Sequence, residues 1–437
     1  MSADPRLVTP LARIVGEALA NERIHRGTQG RSALAPTDER EYARDRVVRQ
    51  LDAYATQQLS RGNTPLSVEA ESELVEAVLA KVLGLGRIQP LLDDPTINDI
   101  HIRGNAPVWV KLTNGQRRQT SPVVDTDEEL VELIRMAATR MGRTERRFDA
   151  GNPELNLQLA DGSRLFATME VSSHPSVVIR KHRFELSSMR ELEDRGLLDE
   201  GLSEFLSAAV RAKRNIIIAG GTGSGKTTLL RALLNQAPPT ERIVTIEDAY
   251  ELGLDRFENL HPDYDMLQSR PANIEGQGAV SILDLARMAL RMDPDRVVIG
   301  EVRGGEAFPM LMAMSQGNNG SMCTMHADST RTIFPKLAAY VAMAETGLPV
   351  DTINLLIASA LHLVVQIDVI NGIRRVSSVR EVVDADGARI VSNEVYRPGP
   401  DGRAIPGYPM RDGSLELLAA NGFDVNYMNK ADGWWTR

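Results

Sequence analysis

Cysteine is almost missing from this 437-residue chain; Cys323 is the only one. An intrachain disulfide is therefore impossible, and a reducing compartment fits best. Long apolar runs are missing too. No stretch of about 18 consecutive apolar residues occurs, so no membrane-spanning helix is predicted. The first 30 residues are polar and charged and lack the apolar core of a signal peptide. Positive charge is not in excess: 50 Lys and Arg stand against 59 Asp and Glu, a net charge of −9. That balance argues against a broad nucleic-acid surface, and no stable nucleic-acid binding is expected. These absences point to a cytoplasmic protein. What is present is ordinary: 42% hydrophobic and 25% charged residues exclude a mainly disordered chain, a collagen-like chain and a disulfide scaffold. A chain this long buries a sizeable core without staples. At ~150 residues per domain it suggests about three domains, or two large ones.

Along the chain, residues 1–37 read as loosely ordered, followed by a helical stretch with Val47, Leu51, Tyr54 and Ala55 on one face. A helix is predicted over 67–83, with Glu69 and Glu71 in its first turn and Gly84 and Gly86 to end it. Residues 97–182 alternate short apolar runs with turns such as Asn114-Gly115 and Asp161-Gly162, which are hairpin signals. With a helix near 128–141, this part reads as an α+β domain with an antiparallel sheet. From about residue 202 the pattern becomes strand–helix–strand. Strands are expected at 215–219, 242–247, 296–302, 321–325 and 361–367, with helices near 227–236, 282–292 and 306–315. That alternation predicts an α/β fold with a mostly parallel sheet covered by helices. A hairpin is expected over 374–396. The expected organisation is a helical or flexible extension (1–64), an α+β N-terminal domain (65–184), a linker (185–200), a P-loop domain (201–396) and a tail (397–437).

The strongest signal is Gly220-Gly221-Thr222-Gly223-Ser224-Gly225-Lys226-Thr227, a full G-x-x-x-x-G-K-[ST] phosphate loop. It follows the apolar run 216–219 and opens a helical run beginning at Thr228, the strand–loop–helix context the motif needs. Glycines let the backbone curl so that its N–H groups point at phosphate oxygens, and the helix N-terminus adds positive potential. Lys226 is expected to neutralise the β- and γ-phosphates of ATP, and Thr227 to hold Mg²⁺. This much says nucleoside triphosphate and not what its energy does; a small-molecule kinase satisfies it equally.

Two further strands end in acids, Glu247-Asp248 and Gly300-Glu301. In an open parallel sheet ligands lie beyond the C-terminal strand ends, so both acids point toward the nucleotide. A carboxylate there orients the attacking water, or holds Mg²⁺ through its waters.

At this point the chain resembles a family. Gly300-Glu301-Val302-Arg303-Gly304-Gly305-Glu306-Ala307 is similar to the Walker B segment of the type II/type IV secretion ATPase superfamily. Segment 246–252 resembles its Asp box and segment 320–329 its His box. Segments 270–276 and 289–296 resemble the tight-adherence (Tad/CpaF) pilus branch, as do Gly84-Leu85-Gly86, Asp161-Gly162-Ser163-Arg164 and Ile179-Arg180-Lys181 upstream. The resemblance covers roughly residues 65–385. It implies a RecA-like ATPase domain, a hexameric ring, and ATP held between the two domains of one subunit and touched by a neighbour. It further implies Glu301 as main catalytic carboxylate, Glu247 as a second acid near the γ-phosphate, and His326 as a residue that senses the γ-phosphate or couples it to the neighbouring subunit. Arg164 and Arg180 stand where the family places arginines that reach the phosphates; Arg270, Arg287 and Arg291 could serve the same purpose, and the sequence does not rank them. An integral inner-membrane platform protein is the implied partner, with the motor peripheral at the inner face of that membrane. Asn318 departs from the pattern, since relatives often have His there, and Asn carries no charge. Asn156 and Gln158 depart from a charged pattern.

Cys323 and His326 are too few ligands for a structural zinc. The methionines at 288, 292, 310 and 314 have helical spacing and read as core. The basic clusters at 143–147 and 211–214 read as solvated faces. Two alternatives stay open beside a pilus or secretion motor: a DNA- or protein-transfer ATPase of a type IV secretion system, and a P-loop kinase or nucleotide switch.

Overall fold

The computed structural model describes residues 5–29, 31, 34, 36–141, 147–159, 161–181, 188–257, 259–272 and 275–435. It contains two compact units, Met1–Arg183 and Phe184–Arg437. The basic cluster near 143–147 lies largely outside the described residues.

The first unit opens with three helices, α1 (Pro5–Thr28), α2 (Pro36–Ser60) and α3 (Val68–Val82). Each lends one apolar stripe to a shared cluster: Val15 and Leu19, Val47 and Leu51, and Leu74, Val75, Val78 and Leu79. Ser67 caps α3 by accepting the Ala70 N–H at 3.2 Å. The expected loose order over 1–37 is corrected for residues 5–28. Their stripe is sparse and becomes helical by burying itself on α2 and α3, which local composition does not display.

The unit continues with α4 (Gln89–Asp93), β1 (Ile97–Arg103), β2 (Val108–Leu112), β3 (Arg117–Thr120), α5 (Asp127–Met141), β4 (Glu154–Gln158), β5 (Arg164–Thr168) and β6 (Ser176–Arg180). The strands form one antiparallel sheet in the order β3-β2-β1-β6-β5-β4. Alternate residues such as Ile100, Val110, Leu165 and Ile179 pack on Leu130 and Ile134 of α5. The opposite parity carries Arg164 and Arg180.

The second unit comprises α6 (Met189–Asp194), α7 (Glu200–Arg211), β7 (Ile216–Gly220), α8 (Lys226–Leu234), β8 (Ile243–Glu247), β9 (Tyr264–Gln268), α9 (Ile282–Ala289) and β10 (Arg296–Ile299). After these come α10 (Ala307–Ser315), β11 (Met322–Met325), α11 (Ile333–Met343), α12 (Val350–Ala360), β12 (Leu363–Ile370), β13 (Ile373–Asp386), β14 (Arg389–Pro398), β15 (Ala404–Pro406) and α13 (Asp412–Ala420). One sheet orders them β15-β14-β13-β12-β7-β11-β10-β8-β9. The run from β12 to β9 is parallel, and β13, β14 and β15 add antiparallel strands at one end.

The central strand shows why both faces are covered. Ile216 and Ile218 face one core with α7 and α8. Ile217 and Ala219 face another with α9, α10, α11 and α12. A strand buried on both sides reads as a continuous apolar run, and 216–219 does.

Two segments differ from the reading of the sequence. Met189, Leu192, Leu197 and Leu198, within the expected linker, belong to the first of these cores. Residues beyond 397 do not trail away: Met410, Leu418 and Phe423 are in the same core. Phe205 of α7 meets Tyr396 and Phe423 edge-on, with centroids 5.2 and 5.4 Å apart. Trp434 N–H donates to the Asp199 carboxylate at 2.6 Å, and that same side chain caps α7 by accepting from Leu202 N–H at 2.7 Å.

Candidate active site

The loop between β7 and α8 turns at Gly225, whose φ of 101° lies in the left-handed region that favours glycine. This places the N-terminus of α8 at Lys226. A Cβ built on Gly221 or Gly223 meets nothing within 4 Å, so the cradle is open along its mouth. Lys226 is nearly buried, at 7% exposed. Its Nζ donates to the carbonyls of Gly220 (3.1 Å) and Gly221 (2.9 Å) and lies 3.3 Å from His326 Nδ1. Burial lowers its pKa; the Glu301 carboxylate opposes that shift. Ser224 Oγ is buried and finds no protein partner. A glycine-rich loop open at its mouth, a buried lysine and an orphaned hydroxyl at the start of a helix fit a polyphosphate.

Glu301 follows β10 directly. Its Oε1 lies 2.8 Å from His326 Nε2, and its Oε2 accepts from Arg303 Nη2 at 2.5 Å. Burial pushes the Glu301 pKa up, but the Arg303 hydrogen bond and the charges of Arg303, His326 and Lys226 outweigh it and hold the carboxyl below its usual range. The His326 Nε2 to Glu301 Oε1 approach is a charge contact without hydrogen-bond geometry, since Oε1 is buried and has no hydrogen-bond partner. The main-chain carbonyl of His326 accepts from Lys336 Nζ on α11 at 2.6 Å. Strand order explains the meeting. β11, which ends just before His326, lies between β7 and β10, so the phosphate loop and the acid flank the histidine.

Glu247 ends β8 in a different setting. It is 2% exposed, and its Oε1 accepts the N–H groups of Glu251 (2.9 Å) and Leu252 (3.1 Å). It shapes the loop after β8. Arg231 of α8 grips that loop through the Glu251 carbonyl at 2.6 Å. Arg303 bridges the two acidic segments, since its Nη1 donates to Asp248 at 3.0 Å. Glu306 accepts the backbone N–H groups of Arg303 and Gly304 and so fixes the turn that presents Glu301.

The remaining predicted residues are placed as follows. Gly220 ends β7, and Thr227 and Thr228 sit in the first turn of α8. Oxygen donors fit Mg²⁺, which keeps several waters and is held by few protein groups plus phosphates; Thr227 and Glu301 supply such oxygens, and among the described residues no group of three or more His, Cys, Asp or Glu gathers as a metal cage. Arg164 and Arg180 belong to the first unit, where they face each other across β5 and β6. Arg180 Nε donates to Asp99 at 3.1 Å, and its side chain is otherwise exposed. Asn318 holds a turn: its side chain donates to the Pro294 carbonyl and its own carbonyl accepts from Ser321.

Sequence reading did not single out Arg303, Asp248, Lys336 or Glu306 as site residues. The first two and Glu306 lie inside segments with a recognisable pattern, so a signal existed. Lys336 carries none; only the packing of α11 brings it there.

Fold and site together define a P-loop ATPase. A profile of the type II/IV secretion system protein family matches residues 91–396. The chain belongs to that family. It is 33% identical over 317 residues to a putative conjugal transfer protein of Mycobacterium tuberculosis, covering 70% of this chain and 87% of that one. It is 33% identical over 311 residues to the type IV secretion system protein PtlH of Bordetella pertussis, covering 65% and 89%. Among solved structures, the VirB11 ATPase of the Brucella suis type IV secretion system, in complex with sulphate, matches 68% of this chain and 95% of its own at 28% identity, with a TM-score of 0.36.

Proposed function

We propose that this chain is a Mg²⁺-dependent ATPase that works as a ring, a hexamer by family pattern, and drives pilus assembly or protein secretion through an inner-membrane partner at the cytoplasmic face. The observation that carries the reading is the chain of contacts from Lys226 through His326 to Glu301. It joins the group that meets the γ-phosphate to the group that handles water.

Glu301, held ionised, orients and deprotonates the attacking water. His326 reports on Lys226: when Lys226 leaves the Gly220 and Gly221 carbonyls for phosphate oxygens, its contact with Nδ1 changes, and with it the position of the ring that lies against the Glu301 carboxylate. Thr227 and Glu301 would hold Mg²⁺, which would supply neutralisation of the phosphate charge that develops during transfer. Arg164 and Arg180 are the proposed cations for transition-state charge. The assignment to the tight-adherence branch rests on the sequence segments that resemble it.

Among the described residues no helix is long and apolar enough to cross a membrane, so force is passed to a separate membrane protein in this reading. The test is mass by light scattering on Glu301→Gln, with and without an ATP analogue and Mg²⁺. One subunit is 48.0 kDa, so a six-fold ring is about 288 kDa. A nucleotide-dependent species of that mass is expected. A monomer or dimer throughout, also in the presence of detergent-extracted membranes, overturns the ring.

A second reading is favoured by the relatives named above. The same motor would serve a type IV secretion system that transfers DNA or protein. Stimulation of hydrolysis by DNA, which the net charge of −9 speaks against, separates the two.

A further inference from the structure

The phosphate loop has two flanks, and only one of them is occupied by the groups discussed so far. On the β11 and β10 side stand His326 and Glu301, which mark the γ-phosphate end. On the other side β12 runs parallel to β7, with Ile367 opposite Gly220. β12 then overshoots. It continues to Ile370, turns at Asn371 and Gly372, both with positive φ (53° and 80°), and returns as β13. The hairpin tip therefore stands beside the loop.

From this tip Arg374 reaches the loop. Its Nε donates to the Gly223 carbonyl at 2.9 Å. Its stem lies along Gly225, where an added Cβ would sit 3.3 Å from Arg374 Cδ. The guanidinium is thus fixed in orientation next to the start of α8, yet the residue is exposed. Directly across the hairpin stands Val369, 53% exposed, on the same face. An exposed valine beside an anchored, planar guanidinium is an apolar and cationic shelf at the rim of a phosphate cradle.

A nucleotide whose γ-phosphate meets Lys226 and Glu301 must carry its nucleoside away from the acids. The sheet order makes the hairpin the opposite flank. We propose that Arg374, backed by Val369, is the nucleoside-binding shelf of this ATPase, with the purine stacked on the guanidinium plane. Guanidinium–π contacts of this kind are strengthened where the plane is already fixed. The inference rests on the phosphate-loop reading and adds to it the residue that recognises the base.

The experiment compares binding of ATP and of inorganic tripolyphosphate, both with Mg²⁺, by calorimetry on the full chain. Arg374→Ala is expected to weaken ATP by roughly two- to five-fold, the range of a cation–π contact at an exposed site, and to leave tripolyphosphate binding unchanged. Arg374→Lys keeps the charge but not the plane and is expected to remain weak for ATP. Equal weakening of both ligands in Arg374→Ala overturns the shelf, because the residue then acts through loop shape or phosphate charge. Full ATP affinity in Arg374→Ala, or full rescue by lysine, overturns it too. A wild-type protein that binds neither ligand overturns the phosphate-loop reading itself, and the shelf with it.

Discussion

Glu247 and Glu301 look alike in sequence, each an acid closing a short apolar strand, and their surroundings separate them. Glu301 touches an arginine and a histidine at the mouth of the site; Glu247 is spent on two backbone N–H groups of its own loop. Glu301→Gln should keep nucleotide binding and lower kcat by about 10²–10⁴-fold, the usual range for removing a general base. Glu247→Gln keeps an acceptor oxygen and should retain most turnover, whereas Glu247→Ala leaves the buried Leu252 N–H and the half-buried Glu251 N–H without their acceptor and should lower stability by ~1–3 kcal/mol. Steady-state kinetics together with denaturant melts test this contrast; near-normal turnover in Glu301→Gln would move the chemistry to Glu247. Arg303 adds a pH signature. It holds the Glu301 carboxyl low against burial, so in Arg303→Ala the carboxyl titrates at higher pH. The acid limb of kcat/KM should shift upward; a limb that stays in place means that Glu301 is not the titrating base. At this scale the phosphate loop, both acids and His326 were legible because each sits in a spaced motif. Which acid does chemistry was not, since partners come from other strands.

At the scale of elements, the parallel strands were legible as apolar runs, because strands buried on both faces need no alternation. Edge pieces were not. β9 is only partly buried along its length, and its Tyr-Asp-Met-Leu-Gln sequence shows no clear period. The Asn371-Gly372 turn carried the same signal as Asn114-Gly115, but that β12 lies beside β7 follows from pairing, which no local pattern encodes. The other end of β7 is held by a polar hub. Asn215 accepts the N–H groups of Gly320 (2.8 Å) and Ser321 (3.1 Å), and its own N–H donates to His362 Nδ1 at 2.9 Å. Burial, with Arg214 and Arg411 nearby, lowers the His362 pKa to about 4. The unfolded histidine takes up its proton near pH 6.5. Stability from this group is therefore complete above about pH 6.5 and is lost as pH falls toward 4, at up to about 1.4 kcal/mol per pH unit. His362→Gln should flatten that slope in urea melts run between pH 7 and 4.5. An unchanged slope would assign the acid sensitivity to other groups.

For the whole molecule, the alternation of elements announced an α/β unit after an α+β one. It did not announce that residues beyond 397 complete the core, because Gly- and Pro-rich chain between them disguises Met410, Leu418 and Phe423. Burying a side chain of that size contributes about 1.5–3 kcal/mol. Losing three is on the order of a domain's total stability of about 5–15 kcal/mol. Removing residues 399–437 should therefore leave a second unit that aggregates or melts early and binds ATP poorly, although no phosphate-loop residue has been touched. Thermal unfolding with and without ATP reads this out, and an unchanged melting temperature refutes it.

The Asp199 carboxylate caps α7 and also receives the Trp434 N–H, 235 residues later in the chain. During synthesis, at about 5–20 residues per second, roughly 10–50 seconds separate the two. For most of that interval a nascent chain already has its phosphate loop while Phe205 still lacks Tyr396 and Phe423. The ribosome thus exposes a sticky aromatic surface for most of the making of this unit. A chaperone that grips apolar segments has its natural footing there, and the arrival of Tyr396 and Phe423 displaces it.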